Sequence, residues 1–314
     1  MKLNERYLLF LKRFINLLVI SMSMNHAAYA NASDSEKSDQ SIQYGIGQQR
    51  QLFSFEDQDL QTTVVSQALQ YQYSLSDKLI GFALSRTSAD KSRSGDRAYQ
   101  LEFDSQAVFV FAEINIEDLW LGMGASQGND DSQYEIHYNN VQGDVSNNTD
   151  FRNLSIDIGY GRFLSSSYWS VGAGLTHQWL VAKRQLILIR TVNPIVVQNS
   201  NTTEQALLAS LNANYEHYFS ISEYAELLLS GAVNHQFTLS GDGRIQLNQQ
   251  RRGPSGVQQN QLSEEIEQSN SAITSISVRL SLLHDVYSLS AEVDQLSDQS
   301  SADAYYGLSL GVNF

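Results

Sequence analysis

Apolar residues recur at every second position along many stretches of this sequence, and this pattern constrains the fold more than any other feature. Between Tyr305 and Phe314 the even positions are all apolar, whereas the odd positions are mostly small or polar. The segments 154–161, 207–216 and 287–294 repeat the alternation. A period of two places successive side chains on opposite faces of an extended strand. We therefore predict an all-β fold.

Strand length and connection length distinguish a soluble β-sandwich from a membrane-spanning barrel. Several segments run ten residues or more, whereas soluble strands commonly have ~5–6 residues and tilted membrane strands need ~9–11. Short links lie near 76–78, 114–118, 165–167, 220–223 and 284–285. Between them we predict longer polar loops at 48–61, 88–97, 128–149, 190–204, 240–269 and 296–302. Short turns on one side and long loops on the other are typical of barrels in the outer membrane.

Aromatic residues cluster beside the predicted short turns. They are Tyr73, Phe111, Trp120, Tyr168, Trp169, Phe219, Tyr224, Tyr287 and Phe314. Amphipathic rings prefer the depth of the lipid headgroups, so an aromatic girdle at a membrane interface has this placement. We expect these side chains to form such a girdle.

Twelve segments carry the alternation. The predicted strands are roughly 42–52, 62–75, 79–87, 98–112, 118–138, 150–164, 168–189, 205–219, 223–239, 270–283, 286–296 and 303–314. An even number places both chain termini on the side of the short turns, which is the periplasmic side of the outer membrane. We predict a transmembrane, antiparallel, up-and-down β-barrel of about 12 strands over residues 42–314, with ten and fourteen strands as open alternatives.

The N-terminus has the features of a cleaved export signal. Four basic residues precede an apolar core at 14–24, and Ala28-Tyr29-Ala30 matches a cleavage site. The core has about 11 residues, fewer than the ~20 that a spanning helix needs. We predict a signal peptide at 1–30 and a short N-terminal segment at 31–41, which leaves no plug domain and no large passenger domain before the first strand.

Composition narrows the range of partners. The chain has no cysteine, which excludes a disulfide framework and thiolate metal sites. Removal of the predicted signal peptide takes away four basic residues and one acidic residue, so the formal net charge changes from −14 to −17. Because nucleic-acid binding needs clustered lysine and arginine, we expect no nucleic-acid partner.

The C-terminal stretch resembles the last strand of Gram-negative outer-membrane β-barrel proteins of the porin-like class. The matching residues are Tyr306, Leu308, Leu310, Val312 and the terminal Phe314. The resemblance implies an assembly signal that is recognised by the barrel-assembly machinery. It also implies location in the cell outer membrane, in contact with lipid and lipopolysaccharide.

The face opposite the apolar residues is polar on most predicted strands. Its charged members, which we predict to line the barrel lumen, are Glu102, Asp104, Asp157, Glu216, Glu226, Arg279, Glu292 and Asp294. Carboxylates outnumber the single arginine. Because acidic rings attract cations in pores, the pattern indicates a lumen that prefers cations.

The run Leu186-Ile187-Leu188-Ile189 breaks the alternation, since both faces are apolar. Lipid covers only one face of a strand, so the other face needs a protein partner. Folding into the barrel mouth, packing against a long loop such as 240–269 and docking on a second protein could each cover that face. Of these we expect packing against the protein's own loops.

Residues with catalytic or metal-binding chemistry are sparse. The histidines after the predicted signal peptide are His137, His177, His217, His235 and His284. None has zinc-protease spacing, and none has a serine two residues away on the same strand face, the pairing used by outer-membrane phospholipases. We therefore expect no metal, no cofactor and no enzymatic activity.

Three functions are consistent with these features. The first is a passive channel for small hydrophilic solutes, with a preference for cations. The second is a non-conducting structural or surface-binding barrel whose long extracellular loops contact a partner. The third is an outer-membrane enzyme that modifies lipid.

Overall fold

A computed structural model describes residues 38–55, 58–75, 77–94, 97–138, 141–190, 193–241, 247–253, 256–262, 272–284, 286–296 and 304–314. The predicted signal peptide and residues 31–37 of the predicted N-terminal segment lie outside the described residues. Within the described ranges, no helix is long and apolar enough to cross a membrane.

Extended strands account for nearly all of the described chain. In order they are β1 (Ser38–Phe55), β2 (Gln58–Leu75), β3 (Lys78–Arg93), β4 (Arg97–Ile116), β5 (Leu119–Tyr138), β6 (Val141–Leu164), β7 (Ser167–Arg190), β8 (Asn193–Ser222), β9 (Ala225–Gly241), β10 (Leu247–Gly253), β11 (Gly256–Leu262), β12 (Ala272–His284), β13 (Tyr287–Leu296) and β14 (Tyr305–Asn313).

Twelve of these strands form one closed antiparallel barrel, which confirms the predicted fold. The ring order is β1-β14-β13-β12-β9-β8-β7-β6-β5-β4-β3-β2. The first and last barrel strands meet along a seam that runs from Ser41 opposite Asn313 to Gln48 opposite Tyr306. Each of the twelve predicted segments overlaps a barrel strand. Closure matters because it leaves no unpaired strand edge, which a lipid environment would penalise heavily.

One end of the barrel, which we call the base, carries the short turns and the C-terminus. Two of its turns place non-glycine residues in the left-handed region, Glu117 at φ 56° and Ser165 at φ 55°. At the seam, the Phe314 N–H donates to the Gln40 carbonyl over 2.9 Å, and the Gln40 N–H donates to the Phe314 carbonyl over 3.0 Å. Both ends of the described barrel therefore meet at the base, as the even strand number predicts.

The predicted long extracellular loops at 88–97, 128–149 and 190–204 are wrong as loops. β5 continues to Tyr138 and β6 begins at Val141, and the two strands stay paired over this whole length. β8 likewise begins at Asn193, well before its predicted start near 205, whereas β7 (Ser167–Arg190) agrees with its predicted span of 168–189. The polar composition of these segments reflects an outer strand face that meets water above the membrane. We call the raised wall the part of β3–β8 that continues beyond the membrane, on the side away from the base.

The predicted loop 240–269 contains a hairpin that the alternation did not indicate. β10 and β11 pair with each other and stand apart from the barrel sheet. β10 contacts β7 and β8, whereas β11 contacts β2 and β3. These two strand pairs lie on nearly opposite sides of the ring, so the hairpin crosses the end of the barrel that faces away from the base.

The outer face carries a band of exposed apolar side chains, which we call the apolar belt. Its members include Leu69, Ile80, Leu121, Met123, Ile156, Ile158, Val171, Leu175, Leu211, Val233, Ile276, Val278, Leu280, Leu289, Leu308 and Leu310. Large apolar side chains that are about half exposed on nearly every barrel strand are typical of a lipid-facing surface. A soluble domain rarely exposes a contiguous patch of this size.

The predicted aromatic girdle is correct for some residues and wrong for three. Phe219 and Tyr287 are 45% and 57% exposed near the base, as the girdle requires. Phe111, Trp120 and Tyr168 are buried on the inner face. Their strand positions are opposite in parity to the apolar belt, so proximity to a short turn did not decide which face the rings occupy.

Polarity inverts between the barrel and the raised wall. In the raised wall, Leu101, Tyr134, Val145 and Leu186 form a buried apolar cluster on the inner face, with Leu188 packed against it. The outer face at the same height is polar. The apolar run of β7 is thus covered on the side of Leu186 and Leu188, by the protein's own strands.

Inner aromatic rings lie over glycine residues of neighbouring strands. A Cβ added to Gly172 would come within 2.6 Å of the Trp120 indole and 2.8 Å of the Asn212 side-chain oxygen, and one added to Gly159 would also collide with this indole. At Gly122 the nearest atoms to an added Cβ are 3.7 Å away or farther. The indole therefore fits on β6 and β7 only because two inner positions have no side chain.

We expect Gly172→Ala to destabilise the barrel by about 1–3 kcal/mol, the usual cost of overpacking. The matched control is Gly122→Ala, which places the same methyl group near the same indole without a close contact and should be near neutral. Heat-induced unfolding, followed by electrophoretic mobility, measures both. Equal midpoints for the two variants would show that the indole shifts freely.

Candidate functional site: the inner wall of the barrel

The antiparallel ladders arrange inward side chains in rows around the barrel. Six of the eight predicted charged lumen residues lie on this inner wall: Asp157, Glu216, Glu226, Arg279, Glu292 and Asp294. Arg279, for example, is 3% exposed, whereas its chain neighbours Val278 and Leu280 belong to the apolar belt.

The assignment of Glu102 and Asp104 to the lumen is wrong. Both lie on the outer face of β4, in ladder positions that alternate with the buried residues Leu101 and Phe103. Asp104 accepts a hydrogen bond from the Arg86 Nε over 2.7 Å, and Glu102 accepts one from the Gln100 amide over 2.6 Å. They are part of the polar outer surface of the raised wall.

One inner row brings two carboxylates close together. Glu113 of β4 pairs with Gly122 of β5, which pairs with Asp157 of β6 and then with Gly174 of β7. The Asp157 carboxylate lies over Gly174, because an added Cβ at that glycine would collide with it. A single glycine, Gly122, separates the two acidic residues in this row, so both project into the same part of the lumen.

A second row is built around the arginine. It runs from Glu216 through Ser230 and Arg279 to Glu292. The Arg279 guanidinium lies 3.3 Å from the Glu292 carboxylate and donates to the Ser309 hydroxyl over 3.2 Å. Asp294 lies one inner position further along β13. This row is therefore partly neutralised, whereas the row of Glu113 and Asp157 carries no cation among its ladder partners.

Among the described residues, sequence reasoning missed three inner carboxylates: Glu113, Asp130 and Glu204. Glu113 and Asp130 are 6% and 7% exposed. The run 107–112 is apolar at both odd and even positions, so the sequence does not show which side of β4 faces the lumen. Asp130 lies an even number of residues from Trp120 on β5. Had Trp120 been assigned to the inner face, the alternation would have placed Asp130 there too.

A small cavity of about 70 Å³ lies in the inner wall beside β4–β9. Its lining includes Asp157 together with the amides Asn153, Gln178 and Asn234. Asn153 donates to the Ser126 hydroxyl over 3.1 Å. The side-chain carbonyl oxygens of the three amides are buried and have no hydrogen-bond partner.

A much larger concavity of about 980 Å³ lies on the raised wall, and most of its side chains belong to the polar outer face. Asp131 accepts a short hydrogen bond from Asn148, and Lys183 and Arg86 lie on the same surface. Cross-strand amide–carboxylate pairs such as Asn129 and Asp150, 3.0 Å apart, continue this surface towards the apolar belt. The surface is thus hydrogen-bonded within itself.

One serine–histidine contact lies near the base. The Ser167 hydroxyl is 2.7 Å from His217 Nδ1, and the Tyr215 hydroxyl is 3.5 Å from the same nitrogen. Phe219 packs on the imidazole with ring centroids 4.4 Å apart. No carboxylate contacts His217 among the described residues, so the acidic member of a catalytic triad is absent there. Nor do the described residues include a group of three His, Cys, Asp or Glu side chains placed to hold a metal ion.

No protein-family model matches the sequence, and no curated protein matches it. Solved structures do match the fold. The translocator domain of the autotransporter NalP from Neisseria meningitidis has a TM-score of 0.59 at 12% identity, over 96% of this chain and 97% of that one. The β domain of the Bordetella autotransporter BrkA has a TM-score of 0.55 at 12% identity, over 88% of this chain and all of that one. Together with the apolar belt, these matches place the chain in the outer membrane, with the fold of a Gram-negative outer-membrane β-barrel.

Proposed function

We propose that the protein is a passive, cation-preferring channel of the outer membrane. The observation that carries the proposal is the negative charge of the inner wall. The two inner rows described above contain one cation, Arg279, and four carboxylates: Glu113, Asp157, Glu216 and Glu292. Carboxylates along a path with low-dielectric walls raise the local concentration of cations and repel anions.

The inner side chains leave little free space in the lumen, so we restrict the proposed solutes to small ions. Asp294 and Ser277 are 1% and 3% exposed, and the cavity beside β4–β9 has a volume of only about 70 Å³. A barrel of twelve strands is also smaller than the porins of 16–18 strands, which leave a wide aqueous channel. The proposal therefore covers small cations and leaves out sugars and other large hydrophilic solutes.

On the outer face, we propose two contacts that follow from polarity. Lipid chains cover the apolar belt, and lipopolysaccharide headgroups meet the polar face of the raised wall. A carboxylate on that face such as Asp90, opposite Glu102 on β3, is exposed, so a divalent cation would bridge it to the anionic headgroups.

The proposal is tested by electrical recording from the folded protein in planar lipid bilayers. We expect discrete conductance steps and, across a gradient of KCl, a reversal potential whose sign corresponds to K⁺ permeation. An anion-type reversal potential would contradict the proposal. Absence of conductance would overturn it and would favour a non-conducting barrel that supports the envelope or binds a surface partner.

A further inference from the structure

The cavity of about 70 Å³ beside β4–β9 has a composition that suits a ligand. Gln178 and Asn153 are 1% and 8% exposed, and both line the cavity. Their carbonyl oxygens have no hydrogen-bond partner, and the same holds for the Asn234 oxygen. A buried acceptor without a partner loses its hydration with no compensating contact, so three of them in one cavity indicate a site that suits a donor or a cation.

The strand register brings these oxygens together from β6, β7 and β9, with Asn212 of β8 directly beside Asn234. Asn153 of β6 pairs directly with Gln178 of β7. Asp157 lies two inner positions along β6 from Asn153 and covers Gly174 of β7. The cavity is therefore lined on one side by a carboxylate and on the other by amide oxygens.

We propose that this cavity binds a single, partly dehydrated monovalent cation. Oxygen ligands suit hard cations, and divalent ions usually take several carboxylates, whereas Asp157 is the one carboxylate that the described part of the chain places in the lining. One negative charge and neutral carbonyl dipoles match one positive charge. The volume exceeds what one water molecule requires, so the ion keeps part of its hydration shell. The ring of Phe109 forms part of the wall and adds a favourable face for a cation.

This inference deepens the proposed function, because such a site would be a step on the ion path, but its binding test needs no conductance. The test uses the folded full chain in detergent micelles and follows thermal unfolding in KCl and in choline chloride at equal ionic strength. We expect K⁺ to raise the unfolding midpoint in a saturable way, while choline, which is too large for the cavity, does not.

Variants locate the site. Asp157→Asn removes the charge and should weaken the apparent affinity for K⁺ about 10-fold or more, as expected for a charge-assisted contact. Gln178→Met removes a carbonyl oxygen at nearly constant volume and should also weaken it, and this variant serves if Asp157→Asn does not fold. Asp131→Asn removes the same charge from the outer face and should leave the affinity unchanged.

Each result has one meaning. Identical unfolding curves in KCl and choline chloride overturn the site, as does an equal loss of affinity in Asp131→Asn. A Ca²⁺ or Mg²⁺ shift that occurs at a lower concentration than the K⁺ shift and is lost in Asp157→Asn overturns its monovalent character. A K⁺-specific shift without conductance retains the site and overturns the channel, whereas conductance without the shift retains the channel and overturns the site.

Discussion

Deletion of Phe314 is expected to reduce the amount of folded barrel in the outer membrane about 10-fold. Two backbone hydrogen bonds join Phe314 to Gln40 at the base of the seam. Each contributes ~0.5–1.5 kcal/mol, and the deletion removes both and exposes an unpaired edge at the end of β1. The Phe314 ring, 60% exposed on the outer face, also completes the pattern that resembles an assembly signal.

Two control variants separate seam closure from recognition. Phe314→Ala keeps the backbone hydrogen bonds and removes the ring. Tyr287→Ala removes an equally exposed ring from β13, opposite Val312 of β14, and leaves the C-terminal pattern intact. The heat-modifiable migration of unboiled membrane samples measures folded protein in cells, and refolding into detergent measures it without assembly machinery.

We expect Tyr287→Ala to fold as the natural sequence does in both assays. If the ring acts as a recognition signal, Phe314→Ala folds normally in detergent and poorly in cells. If seam closure dominates, only the deletion fails, and it fails in both settings. Normal folding of the deletion in both settings would contradict both roles.

The strands of the barrel were predictable because lipid imposes one condition on the whole outer face. Residues 305–314 and 287–294 alternate strictly, and β13 and β14 span little more than these segments. Their inner partners are small or polar, so the two faces differ clearly. Where a strand is about as long as the bilayer is thick, every outward position meets lipid, so the apolar alternation continues over the full strand.

β4 shows why the inner wall was harder to predict. Within the apolar belt its outward residues are Val108 and Val110, paired with Leu84 and Phe82 of β3. Further along, the strand leaves the lipid, and the apolar residue Leu101 is on the inner face. Assigning Leu101 to the lipid-facing side therefore reverses the orientation of the whole strand, which accounts for the errors at Glu102 and Asp104.

The same inversion explains the missing loops. Above the apolar belt, outward positions are polar because they meet water, as at Asp131 and Asn148, which are hydrogen-bonded across β5 and β6. A strand with a polar outer face has the composition of a loop, so composition alone does not distinguish the two. The β10–β11 hairpin was missed for a different reason, since its segment shows no alternation that would separate two faces.

Neutralisation of the two inner carboxylates in one row is expected to remove most of the cation preference. The variant Glu113→Gln/Asp157→Asn takes two negative charges from a row in which only Gly122 separates them. In a low-dielectric path such charges act strongly on a permeating ion. We expect a severalfold fall in the permeability ratio of K⁺ to Cl⁻, measured as a shift of the reversal potential towards zero.

The matched control removes two charges from the outer face. Glu102→Gln/Asp131→Asn changes the net charge of the protein by the same amount, but both residues are exposed on the raised wall, outside the lumen. Solvent and salt screen such charges over about 10 Å at 0.1 M ionic strength. The reversal potential of this variant should therefore equal that of the natural sequence.

Ionic strength gives an independent check on the same pair of variants. The difference between the inner variant and the natural sequence should be large at 0.1 M KCl and smaller at 1 M, where the screening length falls to about 3 Å. An outer variant that shifts the reversal potential as much as the inner one would mean that surface charge, and not the inner wall, sets the selectivity. An inner variant that leaves selectivity unchanged would place the ion path away from Glu113 and Asp157, along the row of Arg279 and Glu292.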